Sequence, residues 1–141
     1  MNKKTLEKAV ASALEVRKNA YAPFSNFAVG AAIITKDGSI FTGVNVENSS
    51  FGATNCAERT ALFSAITAGQ RDFEAIVIAS VLNGKAVFPC GICRQALADF
   101  NPEMRVVLVN SDTKQIEQDL LLSDIFQIGR ASCRERVFLT V

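Results

Sequence analysis

The segment FPCGICRQALADF, residues 88–100, constrains this chain more than any other. It sets Cys90 and Cys93 three positions apart directly behind Pro89, and a third cysteine, Cys56, stands 34 residues upstream of Cys90. Cysteines so close together form a disulfide, cycle as a redox pair, or hold a metal, and each choice demands a different fold around them. The chain contains no histidine. That excludes every histidine-based triad and every histidine-containing zinc site. The chemistry falls to Cys, Asp, Glu, Lys, Arg and backbone groups.

Composition narrows the setting. With 141 residues, 49% of them hydrophobic, the chain has the size of one domain that buries roughly 70% of its unfolded surface. The net charge is +1, from 15 basic and 14 acidic residues, and no long run carries one sign. This gives no general affinity for a nucleic-acid backbone or an anionic membrane. The opening MNKKTLEKAV has basic residues with no apolar h-region behind them, and no run approaches the ~18 apolar residues of a membrane span. These features predict a cytoplasmic protein. Structural disulfides are uncommon there, which turns the cysteines toward metal or redox work.

Residues 3–19 predict an amphipathic helix, with Leu6, Val10, Ala13, Leu14 and Arg17 at helical spacing. FAVGAAIIT and SIFTGVNVE flank Lys36-Asp37-Gly38 as the two arms of a hairpin. NSSFGATN, 48–55, is a polar loop, and CAERTALFSAITAG is a helix stopped by Gly69. The continuous apolar runs FEAIVIASV, 73–81, and MRVVLVN, 104–110, suit strands covered on both faces. Ile92 to Phe100 is helical. This order predicts one α/β domain around a layered sheet whose last strands are parallel.

Both cysteine groups open a predicted helix. Helix starts present free N–H groups and partial positive charge, which favour thiolate. Cys90 and Cys93 share a helix face, and with Cys56 they make three thiolate ligands for zinc, at Zn–S of about 2.3 Å. Three protein ligands leave a fourth position for water, the mark of a catalytic zinc site. A carboxylate must then move the protons, and Glu58 stands two residues after Cys56. On a regular helix that is about 200° of rotation, so Glu58 reaches the metal only if the chain is still entering the helix. Arg59 and Arg94 are positioned to withdraw charge from the thiolates. Plainer readings stand beside this one. The CxxC is also a redox pair, Cys133 is also the fourth ligand of a structural zinc module, and Glu58 is also an ordinary acid of a first helical turn.

Cys56-Ala57-Glu58-Arg59 and Pro89-Cys90-Gly91-Ile92-Cys93-Arg94-Gln95 resemble the zinc nucleoside deaminases, whose signature has His or Cys as first ligand, Glu two residues later, and P-C-x-x-C. YAPFSNFAVGAAI (21–33) and TGVNVENSSFGATNCAER (42–59) are similar to the small, homotetrameric, all-cysteine cytidine deaminases. The resemblance spans roughly residues 3–126 and implies a three-layer α/β/α sandwich with a mixed sheet of about five strands. It implies that Cys56, Cys90 and Cys93 bind Zn²⁺, and that Glu58 shuttles protons in the hydrolysis of a nucleoside at cytosine C4. Phe27 would stack near the pyrimidine, Asn45 and Glu47 would hold ribose hydroxyls, and Ala57 would contact the base through its backbone. Arg59 would bond to ligand thiolates and Gln95 would buttress the site. Ser49 to Gly52 match a loop reaching between subunits, and Phe126 an aromatic delivered from a neighbour. Taken alone, Phe27 and Phe126 are core aromatics, and Asn45 and Glu47 alternate on one face of a predicted strand.

The chain also departs from the pattern. Phe51 stands where many relatives have tyrosine, and LLLSDIF lacks a proline usual in the family. IGRASCRERVFLTV behind it resembles a translated cloning adapter. The expected domain is therefore 1–127, with 128–141 an anomalous tail. A blasticidin-S-type deaminase shares CAE and PCG-x-CRQ, but VNVENSSFGATNCAER fits the cytidine deaminases better. Action on a nucleic-acid polymer is disfavoured by the charge balance.

Overall fold

The computed structural model describes residues 1–125. The expected domain end near 127, Phe126 and the tail with Cys133 lie outside them. Helix α1 (Lys3–Val16) runs into a 3₁₀ turn at Arg17–Asn19, followed by strands β1 (Gly30–Thr35) and β2 (Ile40–Val44). Then come α2 (Ala57–Thr67), β3 (Phe73–Ser80), α3 (Gly91–Ala98), β4 (Arg105–Asn110) and β5 (Ile116–Leu121).

The five strands form one sheet in the order β2-β1-β3-β4-β5. β1 is antiparallel to β2 and β3, β3 is parallel to β4, and β5 is antiparallel to β4. The sheet is thus mixed, as expected, and its one parallel pair is the pair of continuous apolar runs. β5 has no counterpart among the elements read from the sequence, because its residues IEQDLL are almost all exposed and carry no apolar alternation.

Strand alternation divides the core between the two faces. Ile33, Ile76, Ile78, Val106 and Leu108 pack with Ala57, Ala61, Leu62 and Leu97 of α2 and α3. Ala32, Ile34, Val77, Val107 and Val109 pack with Ala9 and Ala13 of α1. One helix covers one face and two cover the other, which gives the three layers. Small helix residues let the backbones approach closely. A Cβ on Gly30 would lie 2.2 Å from the Ala13 carbonyl oxygen, and a Cβ on Gly43 would lie 2.3 Å from the Ala61 nitrogen.

Local chemistry fixes the element ends. Asn2 Oδ1 accepts from the Thr5 N–H at 2.8 Å and caps α1. The β1–β2 turn closes through Gly38 at φ 87°, with Asp37 accepting from the Thr35 hydroxyl and the Ser39 N–H. Gly69, at φ 96°, ends α2 as the sequence predicts. Among the described residues no helix is long and apolar enough to cross a membrane.

Candidate metal centre and substrate pocket

Helices α2 and α3 cover the same face of the sheet, and the residues at which they begin line one pocket with Ile78 and Ser80 from the C-terminal end of β3. Each starts at a cysteine. Cys56 is the N-cap of α2 (φ −77°, ψ 154°) and Cys90 the N-cap of α3 (φ −69°, ψ 167°), both with extended backbone. Cys93 follows in the first turn of α3 and is fully buried. The Cys56 and Cys90 sulfurs are 3.8 Å apart, those of Cys90 and Cys93 are 3.5 Å apart, and all three lie within 4.8 Å of one another. Tetrahedral zinc at about 2.3 Å from each sulfur spaces its ligands about 3.8 Å apart, so the cluster fits zinc nearly as it stands.

The ionisation of the thiols points the same way. Cys90 is drawn down to about 2, first by its bonds with Cys56 and Cys93 and then by the N–H groups of Cys93 and Ile92 at the helix start. Cys56 is pushed up chiefly by Cys90, and Cys93 is pushed up by Cys56 and Cys90. The first thiolate forms easily and suppresses the next two. Three thiolates at this spacing need a cation among them.

The placing of Glu58 resolves the rotation that a regular helix would impose. Cys56 precedes the helix, so the 100° step does not separate it from Glu58 in the first turn. Glu58 is only 5% exposed, and burial raises its pKa above the ordinary carboxylate range. Arg59 Nη2 donates to Cys56 Sγ at 3.4 Å, while its buried Nε has no partner among the described residues. Arg94, read from the sequence as a thiolate partner, turns elsewhere: it donates to the carbonyl oxygens of Pro89 and Ile125. Gln95 is exposed and donates to Asp99 at 3.0 Å, so this chain alone does not bring it to the cysteines.

A pocket of about 250 Å³ opens beside the cysteines. Phe27, Asn45, Glu47, Ala57, Glu58, Cys56 and Cys90 all line it. Asn45 and Glu47 lie beyond the end of β2, held in register where Val46 bridges Tyr21 and Asn55. Asn45 is 8% exposed; its Oδ1 accepts from Val29 N–H at 2.9 Å and its Nδ2 donates to the Phe27 carbonyl at 2.7 Å. It therefore shapes the segment that presents Phe27. Glu47 accepts from the Ser25 hydroxyl and from the N–H groups of Phe24 and Ser25. The Ser25 hydroxyl is the main reason that its pKa is lowered. Sequence reasoning missed the walls formed by Thr54, Asn55, Ile78, Ser80, Val87 and Phe88. The available signal was position: each pair ends the segment that leads into a ligand helix, or ends β3 beneath it.

The sequence profile described as the cytidine and deoxycytidylate deaminase zinc-binding region matches residues 3–110. The cytidine deaminase of Sporosarcina psychrophila is 47% identical over 106 residues, 74% of this chain and 77% of that protein. The crystal structure of cytidine deaminase from Burkholderia pseudomallei superposes with a TM-score of 0.78 at 43% identity, covering 88% of this chain and 95% of that one. A blasticidin-S deaminase of Bacillus cereus is 38% identical over 87 residues, 57% of this chain and 62% of that protein.

Proposed function

The chain belongs to the cytidine and deoxycytidylate deaminase family, and from that premise we propose that it hydrolyses free cytidine and 2′-deoxycytidine to uridine and 2′-deoxyuridine with release of ammonia. The observation that carries this reading is a buried carboxyl, Glu58, set beside three cysteine sulfurs in the wall of a nucleoside-sized pocket. A structural zinc module needs no such carboxyl and no such pocket.

Cys56, Cys90 and Cys93 would hold the zinc. When bound, zinc supplies Lewis acidity that makes hydroxide available near neutral pH. Glu58 does the proton work: it takes a proton from water and delivers it to N3 of cytosine. It then carries the second proton to the departing amino group. Water's oxygen ends on C4, one of its protons on N3 and the other on ammonia. Arg59, bonded to Cys56, draws charge from the thiolate and keeps the cation a competent acid.

The pocket walls favour nucleosides over nucleotides. Among the described residues no lysine or arginine lines it, and Glu47 adds an anionic carboxylate to its wall, which disfavours a phosphate group. Phe27 stacks near the base, and Asn45 and Glu47 face the ribose. Without the ribose, its contacts with Asn45 and Glu47 are not made, so bare cytosine is the poorer substrate. Phe24, Phe51, Phe88 and Ile92 stand exposed on segments that carry or flank pocket residues. They support self-association, and the family resemblance extends this to a homotetramer in which a neighbour closes the pocket with the Ser49–Gly52 loop. Light scattering of the purified protein tests that assembly, and a monomeric, fully active species would refute it.

The deciding experiment follows the loss of cytidine absorbance on zinc-loaded protein. Glu58→Gln should lower turnover by about 100- to 10,000-fold while zinc stays bound, and cytosine should be deaminated far more slowly than cytidine. Turnover of blasticidin S but not of cytidine would reassign the substrate. Full activity in Glu58→Gln would remove the proposed proton carrier.

A further inference from the structure

The three ligand cysteines are not equally secured. Cys93 is fully buried and fixed by packing, and Cys56 accepts a hydrogen bond from Arg59. Cys90 is exposed and has neither of these restraints; beside its two cysteine neighbours, its sulfur meets only the N–H groups of Ile92 and Cys93 in its own first turn, so its position depends on the backbone that carries it. Arg94 controls that backbone. Beside the ordinary helical bond from its N–H to the Cys90 carbonyl at 2.9 Å, its side-chain Nε donates to the Pro89 carbonyl at 2.8 Å. The Pro89 carbonyl belongs to the peptide whose nitrogen is that of Cys90, so the guanidinium fixes the plane from which Cys90 departs. The other arm, Nη1, donates to the Ile125 carbonyl at 3.1 Å. Ile125 is helical, with residues 122–124 before it, and this stretch is anchored to the core. There Leu122 is fully buried and its N–H donates to the Met104 carbonyl at 2.7 Å, while Ile125 packs on the main cluster.

We propose that Arg94 is a positioning residue for the metal centre: it clamps the Pro89–Cys90 peptide to the C-terminal turn at residues 122–125, so that the order of that turn sets how tightly the cysteines hold zinc. A planar guanidinium reaches two carbonyls at once in a fixed fork, whereas a lysine ammonium, a single flexible point charge, cannot reproduce it. The clamp rests on zinc at the three cysteines, as proposed above, and not on the identity of the substrate.

The test compares the full chain with Arg94→Met and Arg94→Lys by zinc release to a coloured chelator and by the thiolate-to-metal absorption band of the cobalt-substituted protein. Loss of an outer contact at a metal site weakens binding by about 10- to 100-fold. Arg94→Met should release zinc faster by a factor in that range and shift the cobalt band. Arg94→Lys should fall between it and the parent. A change confined to folding stability would leave the cobalt band of the folded variant in place. Coupling is reciprocal, so zinc should slow amide exchange at residues 121–125 several-fold in the parent chain. If Arg94→Met does not fold, Arg94→Lys and that exchange measurement decide. Unchanged release and an unchanged cobalt band in the folded variants, or exchange at 121–125 that ignores zinc, overturn the clamp. A parent chain that binds no zinc sinks the clamp and the reading of the site together.

Discussion

Gly43 is where β2 and α2 come closest. A methyl group there would lie 2.3 Å from the Ala61 nitrogen and 2.8 Å from the Ala57 carbonyl oxygen, both backbone atoms with little freedom to retreat. Gly43→Ala should therefore destabilise the fold by about 1–3 kcal/mol. The displaced helix carries Cys56 and Glu58, so zinc affinity should fall too. A urea titration read beside a chelator competition checks both, and an unchanged midpoint would show that the helix can step aside. At this scale the ligand set was legible because its spacing is itself the signal. The side-chain directions of Arg94 and Gln95 were not. Arg94 ends on a carbonyl 31 residues away, and no local pattern announces a partner in the C-terminal turn.

At the scale of elements, the β1–β2 hairpin shows how a turn signal becomes an energetic one. Asp37 accepts from the Thr35 hydroxyl, the Ser39 N–H and, at 3.3 Å, the Gln70 amide beyond the end of α2. The Thr35 hydroxyl is the largest of the causes that lower its pKa to about 2. A lowered carboxyl stabilises the folded state in its ionised form. That contribution is complete above the ordinary aspartate range and disappears as pH falls through about 2. Asp37→Asn should melt at a lower temperature than the parent near neutral pH, and the gap should close under strong acid. A gap that stays constant with pH would assign the effect to turn geometry instead of charge. The hairpin was legible because Asp-Gly between apolar arms is a local signal. β5 was not, because an edge strand facing water needs no apolar alternation. What holds it is the partner: it pairs along β4, and Arg105 Nε donates to Asp119 across the two strands at 2.6 Å.

For the whole molecule, the three layers follow from alternation on β1, β3 and β4, and the sequence declared those three runs openly. The sequence also brought the two helix starts, 34 residues apart, together as one cysteine cluster; what it could not declare was which strand end lies beside them. Zinc bound there would join α2 to α3. A ligand held only by the folded state adds about 2.7 kcal/mol at a hundredfold excess over its Kd. Stripping it should lower the melting temperature by about 10 °C in a chain of this length, and re-addition of zinc should restore it. Restoration has a condition. The Cys90 sulfur lies 3.5 Å from that of Cys93 and 3.8 Å from that of Cys56, so an approach of about 1.5 Å or about 1.8 Å reaches the S–S bond length. It is also the thiol most ready to ionise, which is the reactive form. Zinc bound there would serve as a protecting group for the very sulfurs that hold it. Stripped protein left in air should lose two of its four titratable thiols, and zinc alone should then fail to revive it until a reductant is added.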